Sequence, residues 1–452
     1  MEIDNASLLD IDVFSRDPAA ASVFTLLNTC RTVKGPRLVD AFLRKPQQNP
    51  EGILGVQTSL AILGDLGGHG IWPFPAGRIE DVEKYLFSNI LLIAPSVSAL
   101  SWAKRLHFSV RHRHLAETLA RHAENLVEVL TRLESLPFRR FASASGPLGA
   151  VGKGIEAFLS ARLPDGMTVH DSLPGWRKTP PLALDRIFRG GLKSELNRLL
   201  AHLHDLDMLL CLAEFNIRNG LVNPEPLADG SLLISAEYLR HLFLPAGRGN
   251  NVRLGDGPNL VFLTGPNMAG KSTLLKAVGL AVYLGHLGLG VPAKRLKFSV
   301  LGGMMTGITI SDSLSLGNSY YMSEVKRVKE AAVLAGKAPT CLLLFDETFK
   351  GTNVKDASDA TFALVKALSR LTHVIGIISS HLHEVAEAAA GFPNVMPMKM
   401  EAEEGAMTFT YRLEEGVSTQ RLGMRLLEEQ GVLALLAAIS GERGKLSTDP
   451  RA

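Results

Sequence analysis

The stretch NLVFLTGPNMAGKSTLLKAVGLAVYL, residues 259–284, passes from strand to loop to helix in one run. Its apolar segment, NLVFLTG at 259–265, is short, continuous and bounded by breakers, as a strand buried on both faces should be. Gly265, Pro266, Asn267, Met268, Ala269, Gly270, Lys271, Ser272 and Thr273 then satisfy GxxxxGK[ST], and STLLKAVGLAVYL reads as the helix that this loop opens. Strand before and helix after is the context that separates a phosphate loop from a glycine-rich turn carrying an incidental lysine. The glycines let successive backbone N–H groups turn inward around phosphates, and the helix start adds its partial positive charge. Lys271 would reach the β and γ phosphates, and the Ser272 hydroxyl would sit on Mg²⁺.

Working outward, TCLLLFDE at 340–347 and HVIGIISSH at 373–381 are further short apolar runs, each followed by a helix-like segment. Repeated strand-then-helix texture predicts a largely parallel sheet covered by helices. The first of these runs ends on adjacent acids. Asp346 would hold magnesium through a water, and Glu347 would orient or deprotonate an attacking water. A merely capped loop is the plainer alternative. His381, at the carboxyl end of the second run, should point into the crevice where such sheets bind ligands. It would sense the γ phosphate or hold the water; His383 and Glu384 read as structural. SDSLSLGNSYYMSE, residues 311–324, reads as a polar loop entering a helix near Tyr320.

The preceding half has a different texture. Residues 21–240 are leucine-rich with helical spacing, broken at KPQQNPEG (45–52), LGGHGIWPFPAG (66–77) and FASASGPLGAVGKG (141–154). Residues 101–140 are the longest uninterrupted helix candidate, with Leu106, Val110, Leu119, Leu126, Leu130 and Leu133 on one stripe. DGMTVHDSLPGW at 165–176 reads as a loop, and helical spacing resumes near Leu182. Four segments result: a lead-in at 1–20, a helical domain at 21–240, an α/β domain at 241–440 and a tail at 441–452. The 452-residue chain carries a formal charge of +3, with 46% apolar and 21% charged residues, which excludes a disordered polymer and an all-over basic nucleic-acid binder. Its three cysteines, Cys30, Cys211 and Cys341, form neither a disulfide framework nor a zinc knuckle. With no basic-then-apolar leader and no apolar run of membrane-spanning length, a cytoplasmic location is expected.

Together these pieces resemble the MutS family of DNA mismatch-repair ATPases. TGPNMAGKST at 264–273 is similar to the family's phosphate loop, including its Pro-Asn-Met insert. DETFKGTNVKDA at 346–357 resembles its DE…GT…D segment, SDSLSLGNSYYMSEVKRVKE at 311–330 its signature stretch, and SSHLHEV at 379–385 its end strand. YLRHLFLPAGRGNNVRL at 238–254 looks like the family's entry segment, and residues 411–432 like its closing strand and helices. Residues 24–53 resemble the start of its helical core.

The resemblance implies an α+β chain, with a mostly helical core and lever domain followed by an ABC-type α/β phosphate-loop ATPase. It implies a Mg²⁺-dependent homodimeric ATPase, each ATP sandwiched between Lys271 of one subunit and the Ser319 segment of the other. On that reading Asn267 touches the terminal phosphate, Asp356 lies in a loop that communicates across the dimer, and His381 is the switch histidine. There are departures. Core-like sequence by residue 24 leaves the Phe-x-Glu wedge domain and its connector expected to be absent, so mismatch reading itself is doubtful. His381-Leu-His replaces the usual aromatic after the histidine, His241-Leu a typical His-Pro, and Ser379-Ser380 the more usual Thr.

Double-stranded or branched DNA is the implied partner, together with repair or recombination proteins, and no membrane. Residues 101–140 carry eight Lys and Arg against four Glu. Of these, Lys104, Arg105, Arg111, Arg113 and Arg121 are candidates to face phosphates. Arg177, Lys178, Arg186 and Arg189 add smaller basic spots. A solvated helix face, with Arg stems lying along apolar neighbours, is the alternative. Three readings stay open: a MutS-like ATPase binding DNA through its core, an ATP-gated dimeric switch for a protein partner, and another chromosome-maintenance ABC-type ATPase.

Overall fold

The computed structural model describes residues 1–89, 111–228, 230–309, 320–401, 409–418, 420, 427–428, 430–437 and 439. The strands in chain order are β1 (Glu225–Leu227), β2 (Leu233–Leu239), β3 (Asn250–Gly255), β4 (Leu260–Thr264), β5 (Arg295–Ser299), β6 (Gly303–Gly307), β7 (Cys341–Asp346), β8 (Val374–Ser379), β9 (Val395–Lys399) and β10 (Glu414–Glu415). The chain divides into two compact units. One, largely helical, comprises Met1, Asp12–Asp229 and Ala281–Pro292; the other, sheet-bearing, comprises Glu2–Ile11, Gly230–Leu280 and Ala293–Ala452.

In the sheet-bearing unit the main sheet runs β10-β9-β4-β8-β7-β6, with every pair from β9 to β6 parallel and only β10 antiparallel. The apolar runs read as strands form its centre, and β4 and β8 are buried along their whole length. Helices on both faces demand such sequences, because no strand position faces water. Phe262, Leu343, Phe345 and Ile378 belong to one core with Val365 and Leu368 of the helix Val354–Leu368 and with Ala386 and Ala389 of the helix His383–Ala389. Beside this sheet, β2 pairs antiparallel with both β3 and β5. This smaller antiparallel layer lies within 230–299, so the unit begins before the start expected at residue 241. Residues 2–11, read as lead-in, belong to the same unit: Glu2 bridges Gly303 in parallel, and the helix Asn5–Asp10 follows.

The helical unit is all α apart from β1, isolated bridges and short 3₁₀ and π turns. Its longest described element is Lys193–Arg218, not the 101–140 stretch, of which residues 101–110 lie outside the described residues. Leu119, Leu126, Leu130 and Leu133 do bury one stripe of the helix Arg113–Leu133, which ends before Pro137. Two segments, one read as a break and one as a loop, are largely helical instead. Pro147–Leu159 starts on a proline at its first position, and its glycines serve close packing: a Cβ on Gly152 would meet the Ala142 nitrogen at 2.1 Å. Val169–Trp176 is capped by Thr168, whose side chain accepts from the Asp171 N–H, and Trp176 packs edge-on to Phe188 at 5.1 Å. Tertiary burial outweighs the glycine and proline content in both, aided in the second by its cap.

Within this unit the carboxylate of Asp207, fully buried in Lys193–Arg218, accepts the N–H of Arg31 at 3.0 Å, and the N–H and hydroxyl of Thr32, both at 2.8 Å. One helical turn on, the Cys211 and Cys30 thiols meet at 3.0 Å, a proximity that the sequence does not disclose. Burying a charge without such partners is costly, so the three donors and the carboxylate depend on one another. Asp207→Ala should lower unfolding stability by about 3 kcal/mol, against about 1 for Asp207→Asn, measured from urea midpoints.

Candidate nucleotide site

The loop 265–270 joins β4 to the helix Lys271–His286, and its geometry needs its residue types. Gly265 sits at φ +150°, where a Cβ would meet the Met400 carbonyl oxygen at 2.1 Å. Gly270 sits at φ +99°, and Met268, largely exposed, is a non-glycine residue at φ +70°. Left-handed backbone at a non-glycine position is held by its surroundings and gathers at ligand sites. Ala269 is fully buried and anchors the turn.

The Lys271 side chain folds back under this loop. Its buried ammonium donates to the carbonyls of Gly265 at 2.8 Å and Pro266 at 3.1 Å, and lies 3.4 Å from Glu347 Oε1. The next residue, Ser272, donates its hydroxyl to Asp346 Oδ2, and Ser379 donates its own to Asp346 Oδ1. One carboxylate therefore ties together the end of β7, the end of β8 and the start of the helix. Parallel pairing dictates this, since Asp346 and Ser379 are register partners.

Glu347 takes φ +46°, and its N–H donates to the Ser379 carbonyl at 3.0 Å. Burial alone would raise its carboxyl. The Lys350 ammonium at 2.8 Å, with the charges of Lys271 and of His381 at 4.0 Å, outweighs that and holds it below the usual glutamate range. Glu347 is thus ionised at neutral pH. His381 is more than half exposed and reaches Glu347 through Nδ1. His383 opens the helix His383–Ala389, with Glu384 in its first turn.

Asn267, Met268, Gly270, Lys271, Ser272, Thr273 and Glu347 line a cavity of about 460 Å³. Its far side is built by residues that the motifs do not single out: His241, Leu244, Arg248, Asn250, Met400 and Tyr411. Asn250 organises that side, its Nδ2 donating to the Tyr411 carbonyl at 3.0 Å and its Oδ1 accepting the Leu413 N–H at 2.9 Å. No spacing rule joins positions 241–250 to 400–411; only the quoted entry and closing segments touch them. Asp356 does not line the cavity: it sits in the first turn of Val354–Leu368, where its N–H and carboxylate both bond to the capping Asn353. Ser319 lies outside the described residues.

The residues fit a nucleoside triphosphate with magnesium. A concave apolar-and-polar cavity adjoins a loop of left-handed backbone, a buried ammonium and a hydroxyl–carboxylate pair. Oxygen donors such as Ser272 and Asp346 suit Mg²⁺, which prefers a few protein oxygens alongside phosphate. Among the described residues no cluster of three or more His, Cys, Asp or Glu offers an all-protein metal cage.

The candidate basic residues prove to be of mixed standing. Arg111, Arg113 and Arg121 are exposed, Arg113 pairing with Glu117 at 2.9 Å, while Lys104 and Arg105 lie outside the described residues. Arg177 bonds to Thr131 and Glu134. Arg189 is no surface spot, being buried against Asp185 at 2.6 Å. Among the described residues no helix is long and apolar enough to cross a membrane.

Fold and site define an α/β domain of the ATPase type. Residues 261–437 match MutS domain V, and at that level the chain is MutS-like, as its motifs indicated. The chain is 30% identical over 227 residues to the DNA mismatch repair protein MutS of Anaplasma phagocytophilum (strain HZ), covering 49% of this chain and 27% of that protein. It is 31% identical over 254 residues to MutS of Dehalococcoides mccartyi, covering 54% and 29%, and 27% identical over 242 residues to that of Bacillus subtilis (strain 168), covering 52% and 28%. The matches thus span less than a third of these relatives' own length.

Gly265→Ala tests the loop. Its strained φ and the blocked approach to Met400 should cost on the order of 1–3 kcal/mol, so affinity for a fluorescent ATP analogue should fall about tenfold or more. An unchanged dissociation constant would show that the loop does not set binding.

Proposed function

We propose that the protein binds and hydrolyses ATP with Mg²⁺ and binds double-stranded or branched DNA under ATP control, as a homodimer in DNA repair or recombination. The observation that carries this reading is the convergence of Lys271, Ser272 and Glu347 on one cavity, with Asp346 bonded to Ser272, within the match to MutS domain V.

Each residue then has a task. Lys271 exchanges its carbonyl partners for phosphate oxygens and neutralises their charge. Ser272 and Asp346 hold the metal, which when bound draws electron density from the phosphates. Glu347, ionised, accepts the proton of the attacking water, and His381 beside it orients that water. Asn267 and Met268 present loop backbone to the phosphates, while Tyr411 and His241 offer flat faces to the base. Ser319 and Asp356 act at the dimer contact. The exposure of Arg111, Arg113 and Arg121 favours contact with the DNA backbone rather than base reading, because a local charge excess binds phosphate without sequence preference; Lys104 and Arg105 join them on the sequence reading alone.

A second reading, an ATP-gated switch for a protein partner, is favoured by the ion pairing of the basic helix: Arg113 with Glu117 at 2.9 Å and Arg132 with Glu128 at 2.8 Å. DNA binding measured at two salt concentrations, with and without ATP, decides between them. DNA contact predicts affinity that falls steeply with salt and weakens when Arg111, Arg113 and Arg121 are changed to Gln; no affinity at low salt selects the switch. Glu347→Gln should retain ATP binding while turnover falls at least about 10²-fold. Full-rate turnover in that protein would remove Glu347 from the chemistry.

A further inference from the structure

Glu324 lies on the helix Tyr320–Lys337, 1% exposed, and none of its described contacts is with a cation. Its carboxylate accepts two backbone N–H groups, that of Lys350 at 3.0 Å through Oε1 and that of Gly351 at 3.2 Å through Oε2. A buried carboxylate facing only main-chain donors is costly to keep unless those bonds are well made. The bonds fix the loop on which Lys350 reaches back to Glu347 at 2.8 Å. Gly351 comes so close to this helix that a Cβ there would meet the Tyr321 nitrogen at 2.6 Å. Glu347 and Phe349, between β7 and this contact, both hold left-handed φ, +46° and +70°. Strained backbone of that kind persists only when clamped on both sides. On one side the clamp is the Glu347 N–H bond to Ser379; on the other it is Glu324.

The helix that carries Glu324 is itself pinned. Arg327, nearly one turn further, is buried and donates to the Thr306 carbonyl at 2.6 Å, to Ser7 Oγ at 2.8 Å and to both oxygens of Asp4. Asp10, from the same N-terminal helix, accepts the Thr306 hydroxyl at 2.7 Å and the N–H groups of Ile308 at 3.0 Å and Thr309 at 3.1 Å. A rigid support therefore runs from residues 4–10 and β6, through Arg327, to Glu324 and the loop 347–351.

We propose that Glu324 is a positioning residue for Glu347, holding the loop 347–351 so that Glu347 stays beside Lys271, with Arg327 and Asp4 as its anchor. This rests on the hydrolytic role given to Glu347 above. Glu324 does not line the cavity; it acts through backbone geometry alone. Displacement of the base from its working geometry lowers turnover and leaves binding by the phosphate loop intact.

The test uses the full chain as Glu324→Ala, Glu324→Gln and Asp4→Asn, with steady-state ATP hydrolysis, affinity for a fluorescent ATP analogue, and hydrogen exchange at the Lys350 and Gly351 amides. Glu324→Ala is expected to lower kcat about tenfold or more while nucleotide affinity changes less than about twofold. Exchange at the two amides should accelerate by a similar factor. Glu324→Gln, which keeps one acceptor oxygen, should recover part of kcat, and Asp4→Asn should show a weaker version of the same split. Unchanged kcat in Glu324→Ala, alongside a wild type that hydrolyses ATP and a dead Glu347→Gln, overturns the positioning role and leaves the proposed chemistry standing. A wild type without hydrolysis overturns the proposed chemistry, and the role of Glu324 toward it. If Glu324→Ala does not fold, Glu324→Gln and Asp4→Asn decide: equal losses of kcat and affinity overturn the proposal. Amides that exchange in the wild type as fast as an open loop do so too.

Discussion

Burial of the central strands on both faces is the constraint from which the site follows. β4, β7 and β8 have no exposed positions along their apolar lengths, so polar groups can be accommodated only where the strands end. Parallel pairing puts those ends on one edge. Thr264, Asp346 and Ser379 therefore arrive together, and the loop after β4 meets the acids after β7 without any long-range device. The serine hydroxyls on Asp346 complete the junction. A charge there is tolerable because two donors and a helix start face it.

How much of this could be read in the chain depends on the kind of information each feature uses. The phosphate loop was legible because its chemistry is local: glycines at two φ values, a lysine and a serine at fixed offsets. Asp346, Glu347 and His381 were legible because each terminates an apolar run. β6, by contrast, is GMMTG, and β9 is VMPMK with a proline inside, so neither announces a strand by composition. Their pairing partners made them strands. The far wall of the cavity, from His241 to Tyr411, was illegible because it joins segments over 150 residues apart through side chains such as Asn250. Asp356 uses a third kind: its described bonds run to Thr352 and to the capping Asn353 at the start of its own helix, and its cross-dimer role comes from the family pattern alone.

The helical unit shows where spacing misleads. The sequence reads as a break at 141–154 and as a loop at 165–176, yet much of both segments is helix. Gly152 is there for close approach to Ala142, and Thr168 supplies a cap, so the breakers serve packing and helix starts rather than interruption. The leucine stripe of Arg113–Leu133 was sound, because amphipathic period survives whatever the ends do. Its charges are less informative: an arginine count does not reveal that Arg189 is buried against Asp185, or that Arg132 is matched by Glu128.

Residues 2–11 impose an order of events on folding. The groups that satisfy Asp10 and Asp4 lie at 306–309 and 327, some three hundred residues later in synthesis. The helical unit, from Asp12 onward, can gather its own core in the interval. The sheet cannot close its β6 edge until residues 2–10 and the segment 303–327 meet, a contact of high sequence separation and correspondingly slow formation. Completion of the sheet-bearing unit is thereby timed to follow synthesis of the segment 303–327.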